Sequence, residues 1–290
     1  MLQRISDPLL EKFLVELYVY RIDLIHPQVS GNKWYKLKYN LQQAQNLGHH
    51  TLLTFGGAYS NHIYATAAAG KVHNLKTIGV IRGEAHSPLN PTLQFAVDCG
   101  MHLHYIDRST YRDKKSPEVV ESLRKTFGSF YLVPEGGSNA LAVKGCTEIL
   151  PEVDLAFDVV TSACGTGGTL AGLVAHLPAH QKVLGFPALK GGDFLYNDIE
   201  QLLDVYYAKH NLDREQTQHR YELITDYHFG GYAKKKPELL AFIEHFMEQQ
   251  QMPLEWIYTG KMFYGLYDLV KKNYFSPGTK ILALHTGGIR

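Results

Sequence analysis

Three segments combine glycine, hydroxyl and amine groups at spacings that chemistry can use. In the first, a β-branched run Val159-Val160-Thr161-Ser162 passes through Ala163-Cys164 into Gly165-Thr166-Gly167-Gly168-Thr169 and on to Leu170-Ala171-Gly172. A strand that turns through glycines into a helix can aim successive backbone N–H groups at one anion, with the positive end of the helix dipole behind them. The hydroxyls of Thr166 and Thr169 add donors, so the segment reads as a cradle for one phosphate. It is not a Walker A loop, because no Gly-Lys-Ser/Thr follows. It is also a poor dinucleotide fingerprint. Leu170 stands at the sixth position, and the next strand ends Gly185-Phe186-Pro187 with no acid for a ribose. A glycine-rich turn with no ligand is the plainer alternative.

The second segment is Gly56-Gly57-Ala58-Tyr59-Ser60-Asn61-His62, after an apolar run. Ser60 or Asn61 can cap the helix that follows, or the exposed N–H groups can hold a substrate carboxylate. The third is Ser30-Gly31-Asn32-Lys33-Trp34-Tyr35-Lys36. Lys33 falls in the first turn of a helix, where the dipole disfavours a second positive charge and eases loss of the amine proton, as a Schiff-base lysine requires. Lys36 lies one turn on, on about the same face. A lone lysine at a helix start is otherwise a solvated charge. Pro134-Glu135-Gly136-Gly137-Ser138-Asn139, Tyr258-Thr259-Gly260-Lys261 and His285-Thr286-Gly287-Gly288 read as further strand-ending turns. Together they suggest one shared cleft.

Composition narrows the class. Of 290 residues, 29 are Lys or Arg and 28 are Asp or Glu, a net charge of +1. No global field draws in nucleic acid or an anionic membrane. No apolar stretch approaches the roughly 20 residues of a membrane helix, and the N-terminus lacks the pattern of a signal peptide. Cys99, Cys146 and Cys164 are odd in number and widely spaced, neither a disulfide framework nor a zinc pattern, which points to a reducing, cytoplasmic compartment. The 15 histidines include no His-x-x-x-His pair with a carboxylate, and no metal site is expected. No Gly-x-Ser-x-Gly nucleophile elbow occurs.

The elements that must position these groups alternate. Strands are expected at Leu17–Tyr20, Thr51–Phe55, Thr77–Ile81, His102–Tyr105, Tyr131–Pro134, Val159–Ser162, Val183–Pro187, Tyr221–Thr225 and Lys280–His285. Helices are expected at Trp34–Leu47, Asn61–Val72, Pro117–Phe127, Ser138–Leu150, Thr169–His176, Phe194–Lys209 and Lys236–Glu248. This rhythm predicts an α/β fold with mostly parallel sheets covered on both faces, and ligands beyond the carboxyl ends of the strands.

In this order, Gly31-Asn32-Lys33-x-x-Lys36-Leu37, Gly56-Gly57-x-x-Ser60-Asn61-His62, Pro134-Glu135-Gly136-Gly137-Ser138-Asn139, Gly165-Thr166-Gly167-Gly168-Thr169 and Tyr258-Thr259-Gly260-Lys261 resemble the pyridoxal-phosphate enzymes of the 1-aminocyclopropane-1-carboxylate deaminase and D-cysteine desulfhydrase family. The resemblance runs from about Leu17 to Arg290. It implies the tryptophan-synthase-β-like fold (fold type II): two three-layer αβα domains, a larger one from 1–35 and 146–290 and a smaller one from 36–145. It implies pyridoxal 5′-phosphate as cofactor, carried covalently by Lys33. Lys36 and Gly165, Thr166, Gly167, Gly168 and Thr169 would take its phosphate. Asn61 would meet the phenolic oxygen, and Thr259 or Thr286 the ring nitrogen. Tyr59, Ser60 and His62 would contact the substrate, with Ser60 and Tyr258 serving Lys33 in catalysis. A homodimer acting on a small amino acid is also implied.

Position 259 bears on the reaction. Deaminases of this family carry Glu there, whereas Thr259 resembles the desulfhydrase version. A neutral hydroxyl makes a weaker electron sink, adequate for β-elimination from D-cysteine or a similar substrate to a 2-oxo acid, ammonia and a leaving group. It suits cyclopropane ring opening less well. The chain departs from the family in having Tyr35 for an Arg and Ile22 for the first Asp of Arg-Asp-Asp. The alternatives are a 1-aminocyclopropane-1-carboxylate deaminase, and a non-catalytic protein that binds a phosphorylated ligand.

Overall fold

The computed structural model describes residues 1–178, 180–214 and 220–289; Arg290 and the other intervening positions of the 146–290 segment lie outside the described residues. In chain order the elements are β1 (Leu2–Ile5), α1 (Pro8–Lys12), β2 (Glu16–Tyr20), α2 (Asn32–Asn46), β3 (Thr51–Gly56), α3 (Asn61–Val72) and β4 (Lys76–Arg82). There follow α4 (Pro91–Asp98), β5 (Met101–Ile106), α5 (Arg108–Arg112), α6 (Pro117–Phe127), β6 (Tyr131–Val133) and α7 (Ala140–Cys146). The remainder are β7 (Val159–Cys164), α8 (Gly168–His176), β8 (Lys182–Pro187), α9 (Phe194–His210), β9 (Tyr221–Leu223), α10 (Pro237–Gln250), α11 (Thr259–Lys271) and β10 (Lys280–Leu284).

They build two sheets. One has the order β1-β2-β10-β7-β8-β9, parallel throughout except for the antiparallel β1 at its edge. The other has the order β5-β4-β3-β6, all parallel. Side chains of a strand alternate between faces, and here both faces are apolar. Leu282 and Leu284 pack with α7, α8 and α9, while Ile281 and Ala283 pack with α1, α10 and α11. The smaller sheet does the same, with Leu52 toward α2 and α3 and Leu53 and Phe55 toward α5 and α6. Burial on both faces is why these strands read as continuous hydrophobic runs. α2 and α7 join the two halves. Tyr35 of α2 and Val143 of α7 belong to the core of the larger sheet, whereas Leu37 and Leu41 of α2 belong to the smaller.

All nine expected strands form, with ends shifted by no more than two residues. Five elements escaped: β1, α1, α4, α5 and α11. Tyr258-Thr259-Gly260-Lys261 therefore ends no strand. Thr259 opens α11 instead, because the carboxylate of Glu255 accepts hydrogen bonds from the N–H groups of Ile257, Tyr258 and Thr259 at 2.7, 2.7 and 2.6 Å, satisfying donors a helix start leaves open.

Candidate active site

Parallel strands place their outgoing loops at one edge, and the two sheets turn those edges toward a common cavity of about 620 Å³. Gly57 and Arg82 reach it from the ends of β3 and β4, and Pro134, Glu135, Gly136 and Ser138 from the end of β6. From the larger sheet come Cys164 to Leu170 after β7, Leu189 after β8 and Thr286 after β10. This is where an open α/β sheet binds its ligands.

Two amines from α2 enter the cavity. Gly31 precedes them at φ +65°, and a Cβ there would lie 1.9 Å from the carbonyl oxygen of Thr286, so the helix begins hard against the end of β10. Lys33 is only partly exposed. Burial pulls its amine down from 10.5 to about 8. Lys36 is 2% exposed. Its Nζ donates to Ser138 Oγ at 2.7 Å and to Thr166 Oγ1 at 3.4 Å. Burial, and then the charge of Lys33, hold it well below the usual lysine value; its remaining electrostatic neighbours are the thiols of Cys146 and Cys164, not a carboxylate. A buried ammonium without a counter-charge calls for an anion.

The glycine-rich turn supplies the rest of such a site. A Cβ on Gly168 would stand 2.6 Å from Ser138 Oγ and 3.1 Å from Lys36 Nζ, and one on Gly136 would stand 2.4 Å from Thr166 Oγ1. Glycine therefore keeps open a space ringed by an ammonium and two hydroxyls. Asn32 Nδ2 donates to Thr169 Oγ1 at 2.8 Å, tying the start of α2 to the start of α8. Gly165 faces the ring of Tyr258, which a Cβ would approach to 3.2 Å. Burial, then the neighbouring Tyr232, keep the Tyr258 phenol well above its usual value and hence protonated.

On the opposite wall Ser60 caps α3, its Oγ accepting from the N–H groups of His62 and Ile63 at 3.2 Å each. Thr54 Oγ1 donates its proton to Val133 O at 2.8 Å, so it accepts from His62 Nε2, also at 2.8 Å. His62 is thereby fixed with its proton on Nε2. Its buried Nδ1 is a bare acceptor with no partner among the described residues. Burial, then Lys33 and Lys36, hold the ring neutral.

The cavity thus gathers Lys33, Lys36, Ser60, Asn61, His62, Gly165, Thr166, Gly167, Gly168, Thr169, Tyr258 and Thr286. Two expected members stand elsewhere. Tyr59 is 53% exposed, on a turn whose next residue is committed to capping α3, and it does not line the cavity. Thr259 is fully buried behind Tyr258, with Oγ1 3.3 Å from Glu255 Oε1, and it does not line the cavity either. Asn32, Ser138 and Tyr232 were missed as site residues. The first two lay in segments already singled out, but nothing local marks the hydroxyl of Ser138 as the partner of an amine 102 positions away.

The family model described as pyridoxal-phosphate dependent enzyme matches residues 7–287. A mitochondrial bifunctional D-cysteine desulfhydrase/1-aminocyclopropane-1-carboxylate deaminase of Arabidopsis thaliana is 31% identical over 94% of this chain and 72% of its own length. A D-cysteine desulfhydrase of Serratia proteamaculans is 28% identical over 99% of this chain and 89% of its own. A crystal structure of an ACC deaminase homologue superposes with a TM-score of 0.88 at 29% identity, over all of this chain and 89% of that one.

Proposed function

The chain belongs to the pyridoxal-phosphate dependent enzymes, and on that premise we propose that it is a lyase that converts D-cysteine, or a similar small amino acid, and water to a 2-oxo acid, ammonia and a leaving group. The observation that carries the reading is the pair of amines in one cavity. Lys33 is poised near neutrality, and Lys36 is buried with no carboxylate partner among the described residues. The residues fit the cofactor. Lys36, Ser138, Thr166 and the amides from Gly165 to Thr169 would hold its phosphate, Lys33 would hold it covalently, and Asn61 and Thr286 would flank its ring.

When bound, pyridoxal phosphate draws electrons from the substrate Cα and makes its proton acidic. Lys33 Nζ, lowered to about 8, takes that proton. Ser60 and the amides at the start of α3 receive the substrate carboxylate, where the helix dipole favours a negative charge. Neutral His62 offers Nδ1 as an acceptor at the same wall. Tyr258, held protonated, closes the other side and can donate to a departing group. Departure of thiolate from Cβ leaves an enamine that water converts to pyruvate and ammonia.

The lyase reading is favoured by the resemblance to desulfhydrases at position 259, although Thr259 itself stands beside Tyr258 without lining the cavity. A deaminase reading is supported by Glu255, whose carboxylate lies 3.3 Å from the Thr259 hydroxyl, and by the bifunctional relative. Release of 2-oxo acid from D-cysteine and from 1-aminocyclopropane-1-carboxylate, assayed in parallel, separates them. Pyruvate from D-cysteine alone supports the lyase. 2-Oxobutyrate from the cyclopropane substrate transfers the chain to the deaminases. We further propose a homodimer in the cytoplasm, which sedimentation of the purified protein and fractionation of the source cell test. No helix of the described residues is long and apolar enough to cross a membrane.

A further inference from the structure

Lys261 has no place in the chemistry above, yet it is among the most buried charged groups of the molecule, 2% exposed on the first turn of α11. Among the described residues its ammonium meets no carboxylate at bonding distance. Instead Nζ donates to three backbone carbonyl oxygens, those of Gly231 at 2.8 Å, His228 at 2.9 Å and Ala188 at 3.3 Å. Burial lowers its amine to about 8, with Glu255 opposing at longer range. A ring of carbonyl dipoles around one buried positive charge is how proteins strip and hold potassium, an ion close to ammonium in size.

The three carbonyls come from segments that border the cavity. Ala188 follows β8 next to the cavity residue Leu189, and its N–H donates to Cys164 O at 3.0 Å, at the mouth of the glycine-rich turn. Gly231 precedes the cavity residue Tyr232, and Lys261 itself lies three residues after Tyr258. The loop that supplies two of the carbonyls is in an uncommon backbone conformation: Phe229, Gly230, Gly231 and Ala233 all have positive φ, at 52°, 96°, 122° and 51°. Non-glycine residues hold such angles only where the surroundings impose them.

We infer that Lys261 is a tethered monovalent cation: its ammonium fills a carbonyl cage that would otherwise take potassium or ammonium, and so fixes Tyr232, Tyr258 and the end of β7 around the cavity. It is a positioning residue, not a catalytic one. Two consequences follow. The wild-type chain needs no added monovalent cation. A variant that keeps the cage and loses the tether acquires a requirement for one.

Lys261→Ala leaves the carbonyls and the room for an ion, whereas Lys261→Met fills the room without the charge. Thermal unfolding of the cofactor-free proteins is recorded in potassium, ammonium, sodium and choline chlorides at equal ionic strength, and pyridoxal phosphate affinity is measured in parallel. For Lys261→Ala we expect the cofactor to bind tenfold or more weakly in choline chloride, with saturable recovery in potassium or ammonium and a rise in Tm of about 3 °C or more. Wild type and Lys261→Met are expected to show the same Tm in potassium as in choline. A Lys261→Ala protein that behaves alike in all four salts, or folds in none of them, overturns the inference. So does a wild-type or Lys261→Met protein that gains as much from potassium as Lys261→Ala does. Because unfolding of the cofactor-free chain is read without substrate, failure here is separate from failure of the proposed reaction.

Discussion

Replacing Lys36 with methionine is expected to move the protein in opposite directions with and without its cofactor. In the cofactor-free chain the Lys36 ammonium is buried against two hydroxyls and the like charge of Lys33, with no carboxylate to balance it. Methionine follows a similar path with a flexible apolar side chain. It orphans nothing, because Ser138 Oγ and Thr166 Oγ1 already hydrogen-bond each other at 2.5 Å. Loss of a buried amine whose charged form no carboxylate balances therefore leaves the cofactor-free Tm unchanged or higher.

Bound to the phosphate as proposed, the same ammonium would make a buried, charge-assisted contact. Truncating one partner of such a pair costs about 2–5 kcal/mol, which corresponds to a roughly 30-fold to few-thousand-fold rise in Kd. The covalent contribution of Lys33 is the same in both proteins and cancels. Equilibrium dialysis with pyridoxal phosphate and scanning calorimetry of the cofactor-free proteins measure the two halves. A Kd within about threefold of wild type, or a cofactor-free Tm that falls, refutes the assignment of Lys36 to the phosphate.

Other expectations concern neighbouring groups. Lys33→Ala should abolish the visible absorbance of the bound cofactor while leaving circular dichroism intact, and lower turnover by about 10²–10⁴-fold or more through loss of the base; a persisting band removes Lys33 from its role. Capture of the cofactor by wild-type Lys33, trapped with borohydride, should rise with pH through a midpoint near 8 and level off above it, since only the neutral amine attacks. The sign for folding follows: between about 8 and 10.5 the unfolded chain keeps a proton that folded Lys33 gives up, so cofactor-free stability rises with pH across that window. A flat rate from pH 6.5 to 9 contradicts both. Gly31→Ala should destabilise by more than about 2 kcal/mol in urea, because the backbone is at φ +65° and the added methyl would meet the Thr286 carbonyl at 1.9 Å. Glu255→Ala should cost about 1–2 kcal/mol through uncapping of α11, with Glu255→Gln recovering part of it.

The sheets were legible because burial on both faces writes strands as apolar runs between glycine turns, and the cavity was legible because those turns recur at strand ends. What the sequence conceals is how each turn orients its residues. Tyr59 and Ser60 are adjacent and equally polar, yet once Ser60 Oγ turns inward to cap α3 at His62 and Ile63, Tyr59 is left facing solvent. Thr259 was expected at the cofactor, but Glu255 draws it into the first turn of α11, where its hydroxyl meets the Glu255 carboxylate and does not line the cavity. A signal for that helix did exist: Met262, Phe263, Leu266, Leu269 and Val270 repeat with helical period after an acidic residue able to cap. Lys33 shows the deeper limit. Its position in a first turn suggested the dipole as an agent of a lowered pKa, but no local segment shows the burial that also lowers it, beneath walls contributed by residues more than 100 positions away, such as Ser138 and Thr169. A dipole is a property of local sequence and a dry cavity is a property of the whole fold, so Lys33→Arg in the same helix turn would keep the first and lose the chemistry that depends on the second, because a guanidinium does not give up its proton on burial.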